Sequence, residues 1–353
     1  MEPAFGQDRG GTVSNAIGAS PAPLTEELKL ALQTVLDAHF RERRPIVRLE
    51  RQASAYRSSF ALEQLLVTLG DGSALTVIFK DLGWRSLAKQ AHRAKPDFLY
   101  DPLREIRAYE ALLAPNGLGA LCYGSLVAAS GLRFWLFLEK VDGVELYQVG
   151  ELETWKAVAV WLAEVHRYFF GRERELVANA PLLNHDRRFY GLWAARALEF
   201  ADAHKGKDSP RLRGALQNYE TVIDRLLALP RTFLHGEFFA SNVLVKVAAD
   251  HVDVYPVDWE LAAIGPGLTD LAALVAGDWS EDERGEIAQA YFEALGRDRG
   301  AATSRDDLRE ALLCCRLQTA VQRLGWSREW VPPEQHAHDW LTEAVQLAGD
   351  LKL

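Results

Sequence analysis

The sequence is short of cysteine, of basic charge and of long apolar runs. Its 353 residues include only three cysteines, of which Cys314 and Cys315 are adjacent and Cys122 stands alone. This spacing offers neither a disulfide framework nor a zinc site. Asp and Glu outnumber Lys and Arg by 49 to 40, which gives a formal net charge of −9. Because general nucleic-acid binding needs a basic surface, we expect no nucleic-acid partner.

Membrane and export signals are also missing. No apolar run reaches about 18 residues, the length that a membrane-spanning helix requires, and the first residues lack the basic-then-apolar pattern of a signal peptide. We therefore expect a cytoplasmic protein without a membrane partner. Its composition, 48% hydrophobic and 25% charged, is typical of a globular protein with a large core. The sequence gives no indication of the oligomeric state.

The apolar pattern divides the chain into a β-rich part and a helical part. Residues 1–22 are rich in Gly, Ala, Ser and Pro and predict a mobile tail, and Thr25 is predicted to cap a helix that runs to about Phe40. Apolar runs separated by turns then predict a five-stranded antiparallel sheet, interrupted by a helix that begins at Pro102. Beyond residue 142 the apolar residues recur at the spacing of a helix. The strands are predicted at 46–51, 60–69, 74–79, 122–128 and 132–141, and the later helices at 153–170, 187–204, 210–229, 268–276, 281–295, 305–324 and 334–351.

The segment from Arg231 to Ala272 carries the strongest functional signal. An apolar strand ends at His235-Gly236-Glu237, and a second β-rich run begins directly after Asn242. A third run ends at Asp258, so an antiparallel hairpin of the last two runs brings Asp258 back beside Asn242. Carboxylate and amide oxygens close together suit the binding of Mg²⁺ and the orientation of a hydroxyl that attacks a phosphoryl group.

The order and spacing of these residues resemble a known family. His235-Gly236-Glu237, four residues, Asn242 and then Asp258-Trp259-Glu260 are similar to the catalytic core of the aminoglycoside phosphotransferase and choline kinase-like enzymes, which are relatives of protein kinases. The resemblance implies an α+β, two-lobed protein-kinase-like fold, with a small antiparallel sheet lobe and a larger, mainly helical lobe. It implies a flexible tail over residues 1–22, a nucleotide-binding lobe over 23–142 and a catalytic and acceptor-binding lobe over 143–353.

The resemblance also implies roles for single residues. Glu237 would be the catalytic carboxylate, with His235 in the same catalytic motif, and Asn242 and Asp258 would bind Mg²⁺. Asp270 resembles the aspartate that opens the next helix and braces the catalytic loop. This chain departs from the family pattern because Glu237 stands where the family normally has Asp. One extra methylene moves a carboxylate by roughly 1 Å, which costs on the order of a hundredfold in rate if nothing compensates.

The ATP-binding residues are predicted in the first half of the chain. Lys80 resembles the family's phosphate-binding lysine, and Glu105 stands where a helix glutamate would pair with it. Glu139 and Val141 resemble the hinge whose backbone groups meet adenine. The turn that would cover the phosphates, residues 52–59, lacks glycine, so either serine hydroxyls such as that of Ser54, together with Arg57, bind phosphate there, or the turn is only a hairpin. The basic segment 85–95 is expected to be solvated.

Together these residues favour an enzyme that transfers phosphate from ATP·Mg²⁺ to a hydroxyl of a small molecule of the aminoglycoside, sugar or amino alcohol class. The alternative is a nucleotide-binding pseudokinase or regulatory module, which Glu237 and the glycine-free turn suggest. A protein kinase is disfavoured because the segment between Asp258 and Asp270 is too short for a long activation loop. Candidate acceptor-binding residues, which would otherwise belong to the core, are Asp278, Trp279, Glu281, Asp282, Trp326, Trp330, Asp339 and Trp340.

Overall fold

The structure is a computed structural model that describes residues 25–54, 59, 60, 62–128, 133–204, 206–296, 305–326 and 338–353. The predicted tail, residues 1–22, and Arg57 of the glycine-free turn lie outside this range, as does Trp330. Within it, sheet and helix are both abundant and largely separate along the chain, so the predicted α+β class is confirmed.

A five-stranded antiparallel sheet forms the first part of the fold, as predicted. Its strands, in the order β1-β2-β3-β5-β4, are β1 (Ile46–Ala53), β2 (Leu62–Leu69), β3 (Ala74–Asp81), β4 (Cys122–Val127) and β5 (Phe134–Glu139). Helix α1 (Thr25–Phe40) packs on one face of the sheet. It buries Leu28, Leu32 and Leu36 there, because apolar residues four positions apart share one side of a helix.

Two short helices connect β3 to β4 on the other face. They are α2 (Lys89–Ala94) and α3 (Pro102–Arg107), and α3 continues into a π-helical segment, Ala108–Leu113. Asp101 begins α3, since its carboxylate accepts a hydrogen bond from the Leu103 amide at 2.9 Å. This cap fixes where the helix starts and therefore where Glu105 points.

Helices dominate the rest of the chain. They are α4 (Leu152–Phe169), α5 (Glu173–Asn179), α6 (Arg187–Ala203), α7 (Ser209–Gln217), α8 (Glu220–Leu227), α9 (Leu268–Leu274), α10 (Glu281–Leu295), α11 (Arg305–Trp326) and α12 (Trp340–Asp350). Two small sheets lie among them, with orders β10-β9-β6 and β7-β11-β8. Their strands are β6 (Val144–Glu145), β7 (Leu183–Asn184), β8 (Arg231–Leu234), β9 (Val243–Val247), β10 (Val252–Pro256) and β11 (Ala263–Pro266).

One helix that the sequence predicts as continuous is divided into two in the structure. The pattern predicts a single helix from Pro210 to Leu229, whereas the structure has α7 and α8 with a break at Asn218 and Tyr219. Tyr219 is buried, and its hydroxyl donates a hydrogen bond of 2.8 Å to the Gln318 side chain on α11. This tertiary contact outweighs the local helical period.

The largest core lies in the helical part and supports the loop after β8. Val158 and Leu162 of α4 are buried in the same cluster as Phe238, which lies in that loop, and Val243, which follows it. The core therefore fixes the loop and the β9-β10 hairpin against α4, which is where the candidate site is found.

No helix in the described part of the chain is both long and apolar enough to cross a bilayer.

Candidate functional site

Lys80 lies at the centre of the site, near the end of β3. Its ammonium nitrogen is 2.6 Å from the Glu105 carboxylate, and both side chains are almost fully buried. It also forms an ion pair with Asp258, which follows β10 at the open end of the β9-β10 hairpin. One lysine therefore joins the five-stranded sheet, helix α3 and the hairpin.

Asp258 has a backbone conformation that few residues adopt. Its φ of 67° and ψ of 59° lie in the left-handed region, which aspartate tolerates better than most residues. Such a conformation costs about 1–3 kcal/mol and is concentrated at functional sites. Burial would raise the pKa of the Asp258 carboxyl, but the Lys80 ammonium outweighs this effect and lowers it overall. Asp258 is thus held as a carboxylate.

The loop after β8 is fixed by Asp270 at the start of α9. The Asp270 carboxylate accepts hydrogen bonds from the amides of His235, at 2.7 Å, and Gly236, at 2.9 Å. Gly236 has a φ of 86°, and a Cβ there would lie 2.2 Å from the Leu261 carbonyl oxygen, so only glycine fits. The geometry gives Asp270 the bracing contacts that the sequence predicts for it.

His235 is buried and holds the loop against the hairpin. Its Nδ1 accepts a hydrogen bond from the Glu237 amide at 3.2 Å, so Nε2 is the atom that donates to the Val257 carbonyl at 2.9 Å. Burial lowers the pKa of His235, although Asp270 opposes this effect. A neutral imidazole with both nitrogens hydrogen-bonded orients the backbone of Glu237.

Glu237 does not face an empty cleft but forms an ion pair. One carboxylate oxygen lies 3.1 Å from Nη2 of Arg323 on α11, and the Arg323 guanidinium lies over the Phe239 ring, 4.1 Å from its centre. Burial raises the pKa of the Glu237 carboxyl, and Arg323 opposes this rise. The sequence pattern contains no signal for Arg323, because arginine on an amphipathic helix is usually solvated.

Asn242 directly precedes β9 and therefore lies at the same, open end of the hairpin as Asp258. Its backbone carbonyl accepts a hydrogen bond from the Val257 amide at 2.8 Å, and its side-chain Nδ2 donates to the Glu237 carbonyl at 3.0 Å. The side-chain nitrogen of Asn242 therefore forms a hydrogen bond to the loop that carries Glu237. The structure thus brings the backbones of Asn242 and Asp258 together, as the predicted hairpin requires.

These two residues fit a magnesium ion. In the described part of the chain, no group of three or more His, Cys, Asp or Glu side chains forms a metal site. Mg²⁺, however, binds proteins through one or two carboxylates and completes its shell with water and substrate phosphates. The hard oxygens of the Asn242 amide and the Asp258 carboxylate suit that mode of binding, and their assignment as ligands stays a prediction.

The remaining predicted nucleotide residues lie along the sheet. Ser54 follows β1, and its amide donates to the Leu62 carbonyl at 2.9 Å. The Glu139 carboxylate accepts a hydrogen bond from the Leu121 amide at 2.8 Å, and the Glu139 amide donates to the Leu121 carbonyl at 2.9 Å. Val141 is buried two residues further on. The nucleotide contacts of all three stay predictions.

A buried cluster around Glu260 was missed by the sequence prediction. The Glu260 carboxylate lies 2.6 Å from the Lys95 ammonium and accepts a hydrogen bond of 2.7 Å from the Ser59 hydroxyl. Lys95 is 8% exposed, so the expectation that the basic segment 85–95 is wholly solvated is wrong at this residue. The only available signal was that Glu260 directly follows Asp258 and Trp259 in the motif.

Most candidate acceptor residues are occupied elsewhere. Trp279 packs edge-on against Trp155 with ring centres 4.8 Å apart, and Trp326 lies in the core. The Asp339 carboxylate caps α12 through the Thr342 amide at 3.0 Å. Trp340 alone of the described tryptophans in that set contacts the loop, edge-on to Phe239 at 6.2 Å.

Comparison with known proteins identifies relatives of this arrangement. A profile of the phosphotransferase enzyme family, abbreviated APH, matches residues 65–309. The matched range includes Lys80, Glu105, the loop with Glu237 and the hairpin with Asp258. No curated protein sequence matches the chain.

Solved structures with the same fold cover nearly the whole chain at low sequence identity. A GDP complex of an aminoglycoside 2'-phosphotransferase-IIIa mutant has a TM-score of 0.54 at 15% identity and covers 92% of this chain and 97% of its own. An ethanolamine kinase from Plasmodium vivax has a TM-score of 0.54 at 13% identity and covers 94% of this chain and 89% of its own. The choline kinase LicA from Streptococcus pneumoniae has a TM-score of 0.53 at 12% identity and covers 92% of this chain and 100% of its own.

Proposed function

Because the chain belongs to the phosphotransferase enzyme family, we propose that it transfers the γ-phosphate of ATP, held with Mg²⁺, to a hydroxyl group of a small molecule. The observation that carries the proposal is the position of Lys80, whose ammonium pairs with both Glu105 and Asp258. That arrangement supports the proposal, because a lysine that is proposed to bind phosphate lies beside a carboxylate that is proposed to bind the metal, next to a braced loop that carries a second carboxylate.

Each residue then has a defined task. Lys80, held by Glu105, binds the phosphates of the nucleotide, while Asn242 and Asp258 hold Mg²⁺. The ion, when bound, supplies positive charge that neutralises the transferring phosphoryl group. Glu237 orients the acceptor hydroxyl and takes up its proton. Because the reaction is catalysed mainly by positioning and charge stabilisation, the rigidity of the Asp270-braced loop is part of the mechanism.

The five-stranded sheet supplies the nucleotide site in this proposal. In this proposal Ser54, which follows β1, binds the phosphates, and backbone groups of Glu139 and Val141 at the end of β5 bind adenine. The proposed division follows: a nucleotide-binding lobe over residues 23–142 and a catalytic and acceptor-binding lobe over 143–353. The GDP complex of the related fold makes GTP a second donor to be tested beside ATP.

The acceptor belongs in this proposal to the aminoglycoside, sugar or amino alcohol class. The structurally similar proteins include an aminoglycoside phosphotransferase and kinases of ethanolamine and choline. All of these acceptors are small hydroxyl compounds, which supports the class. In this proposal the enzyme acts in the cytoplasm.

Replacement of the metal-binding carboxylate tests the function. Asp258→Ala is expected to reduce phosphoryl transfer by at least about a hundredfold, because it removes a ligand whose charge stabilisation acts in the transition state. Transfer is measured with radiolabelled ATP and GTP against a panel of hydroxylated amines, sugars and aminoglycosides. Asp253→Ala, which changes a carboxylate that is 47% exposed and lies beside His251 on the same hairpin, is the control and should leave the rate unchanged. Unaltered turnover in Asp258→Ala would refute the metal assignment.

A second candidate is a nucleotide-binding pseudokinase or regulatory module. The ion pair between Glu237 and Arg323 favours it, since that pair places a cation on the carboxylate that would accept the proton. This candidate predicts binding of ATP·Mg²⁺ without transfer to any acceptor or to water. Transfer that depends on Glu237 excludes it.

A further inference from the structure

Arg323 is the charged side chain of α11 that contacts the predicted catalytic carboxylate. Its Nη2 lies 3.1 Å from a Glu237 oxygen, and the two side chains are only 16% and 15% exposed. A pair this shielded from water interacts more strongly than a surface pair. The position of Arg323 indicates a role in the reaction, because the carboxylate that it contacts is the one proposed to act on the acceptor.

The guanidinium of Arg323 is itself held on two sides. Its plane lies over the Phe239 ring at 4.1 Å, and Phe239 in turn contacts Trp340 at the start of α12. Ala320, Val321 and Leu324 bury the same stretch of α11 in the core. The cation is therefore held between a helix that is packed in the core and the Phe239 ring.

A glutamate at this position needs such a partner. Compared with the aspartate usual in the family, it has one more rotatable bond and reaches roughly 1 Å further, and displacement by 1 Å costs about a hundredfold in rate. A mobile carboxylate would also spend part of its time in unproductive rotamers. Two fixed points, the His235-bound amide at one end and Arg323 at the other, restrict Glu237 to one orientation.

We propose that Arg323 is a positioning residue that holds the Glu237 carboxylate toward the acceptor hydroxyl, so that glutamate serves where the family uses aspartate. This inference rests on the proposed function, since it assigns a role within that reaction. The structure supplies the two contacts that it requires, the ion pair to Glu237 and the stack on Phe239.

Substitution of the arginine gives the first test. Arg323→Met is expected to lower kcat for transfer from ATP·Mg²⁺ by about 10- to 100-fold, the cost of a carboxylate displaced by roughly 1 Å. The Kd for ATP·Mg²⁺ should stay within about twofold, and Arg323→Lys should restore part of kcat. Phosphate release to water is measured as well, so that the assay does not depend on the acceptor.

Arg316 provides a matched control on the same helix. It is also buried in an ion pair, with Glu343 at 3.1 Å and Glu281 at 3.3 Å, but it does not contact the loop through any described ion pair. Arg316→Met should reduce stability and leave kcat within about twofold. An equal loss of kcat in the two variants would overturn the proposal, because it would show a general effect of disturbing α11.

A double-mutant cycle separates positioning from packing. In a Glu237→Asp background the shorter carboxylate no longer depends on the pair, so Arg323→Met should cost less than about threefold there. The same loss in both backgrounds would show that Arg323 only packs. A higher kcat in Arg323→Met than in the unaltered protein would show that Arg323 occludes the carboxylate, and would also overturn the proposal.

A structural readout decides the inference without activity. Crystal structures of the unaltered protein and of Arg323→Met, each with a non-hydrolysable ATP analogue and Mg²⁺, should show one Glu237 rotamer and several, respectively. One unchanged rotamer in Arg323→Met would refute positioning. Failure of the proposed function is distinct from this outcome, since it would appear as no transfer by the unaltered protein to water or to any acceptor.

Discussion

The Lys80 ammonium forms ion pairs with two carboxylates, Glu105 and Asp258. The pKa values of these two carboxyl groups shift in opposite directions. Burial alone would lower the pKa of Lys80, but the charges of Asp258 and Glu105 raise it overall. Burial raises the pKa of Glu105 to about 7, with Lys80 opposing the rise. The Asp258 pKa, in contrast, is lowered. The raised Lys80 pKa and the lowered Asp258 pKa agree on a charged pair, so Lys80 compensates mainly the carboxylate that is proposed to bind the metal.

His185 gives a prediction for the pH dependence of stability. Its ring is buried, stacks on Phe189 with ring centres 4.1 Å apart, and has an Nδ1 without a hydrogen-bond partner among the described residues. Burial lowers its pKa from 6.5 to about 4. Between these values the unfolded chain binds a proton that the folded chain excludes, so stability falls as the pH decreases from about 6.5 to 4.

The size of this effect follows from the pKa difference and is about 3 kcal/mol over the full window. His185→Phe, which keeps the stack, should flatten the dependence of unfolding free energy on pH between 6.5 and 4. Urea denaturation at several pH values measures it, with the exposed His251→Gln as control. A slope in His185→Phe equal to that of the unaltered protein would contradict the assignment.

At the scale of elements, Glu260 joins segments that are distant in the chain. Its carboxylate binds Lys95 after α2 and Ser59 before β2, and its backbone carbonyl accepts a hydrogen bond of 2.9 Å from Arg104 on α3. Three segments that precede β4 are thus tied to one residue after the hairpin. The cluster fixes how the sheet and the hairpin meet.

Removal of one partner should therefore be costly. Glu260→Gln leaves the Lys95 ammonium buried without a counter-charge, and we expect a loss of about 3–5 kcal/mol in unfolding free energy. The double replacement Glu260→Gln with Lys95→Met should lose less than the sum of the single changes. Urea denaturation of the four proteins measures this coupling. Additive losses would mean that the two side chains do not act as a pair.

A surface pair is the control for this cycle. Arg187 pairs with Glu220 and Asp224 where all three side chains are more than half exposed. Because exposed pairs contribute little, Arg187→Ala should leave the unfolding free energy unchanged within error. A change there comparable to that of Glu260→Gln would show that burial is not what gives the Glu260 pair its strength.

The elements that were predictable from the sequence are those fixed by local chemistry. The strand pattern from Ile46 onward and the Asp101 cap of α3 depend on neighbouring residues, and the structure has both. The hairpin was predictable because its strands are short and adjacent in the chain. The break at Tyr219 was not, since it depends on Gln318 of a distant helix.

The site was predictable only where a contiguous motif, or the family resemblance in the case of the Lys80–Glu105 pair, indicates it. The spacing from His235 to Asn242 is contiguous, so a single reading of the chain finds it. The pairs of Lys95 with Glu260 and of Arg323 with Glu237 join segments that no local pattern relates. Arg323 changes the chemistry most, because it determines how the unusual glutamate is held.

For the whole molecule, the proposed nucleotide site lies where Lys80 of the five-stranded sheet meets Asp258 after the hairpin. A ligand that contacts Lys80 on one side and Asp258 on the other binds the folded chain only, and so stabilises it by mass action. At a hundredfold excess over Kd the gain is about 2.7 kcal/mol. For a chain of 353 residues this corresponds to a rise in Tm of roughly 3–4 °C.

Lys80→Met should abolish this rise, because it removes the cation that is proposed to contact the phosphates and leaves Glu105 and Asp258 to repel them. Thermal unfolding is followed with ATP·Mg²⁺, with GTP·Mg²⁺ and with Mg²⁺ alone. Lys246→Met is the control, since that ammonium lies 5.0 Å from the Tyr255 ring on the hairpin and should not affect the shift. A full nucleotide-induced shift in Lys80→Met would place the phosphates elsewhere, and the assignment of Asn242 and Asp258 to a phosphate-bound Mg²⁺ would lose its support with it.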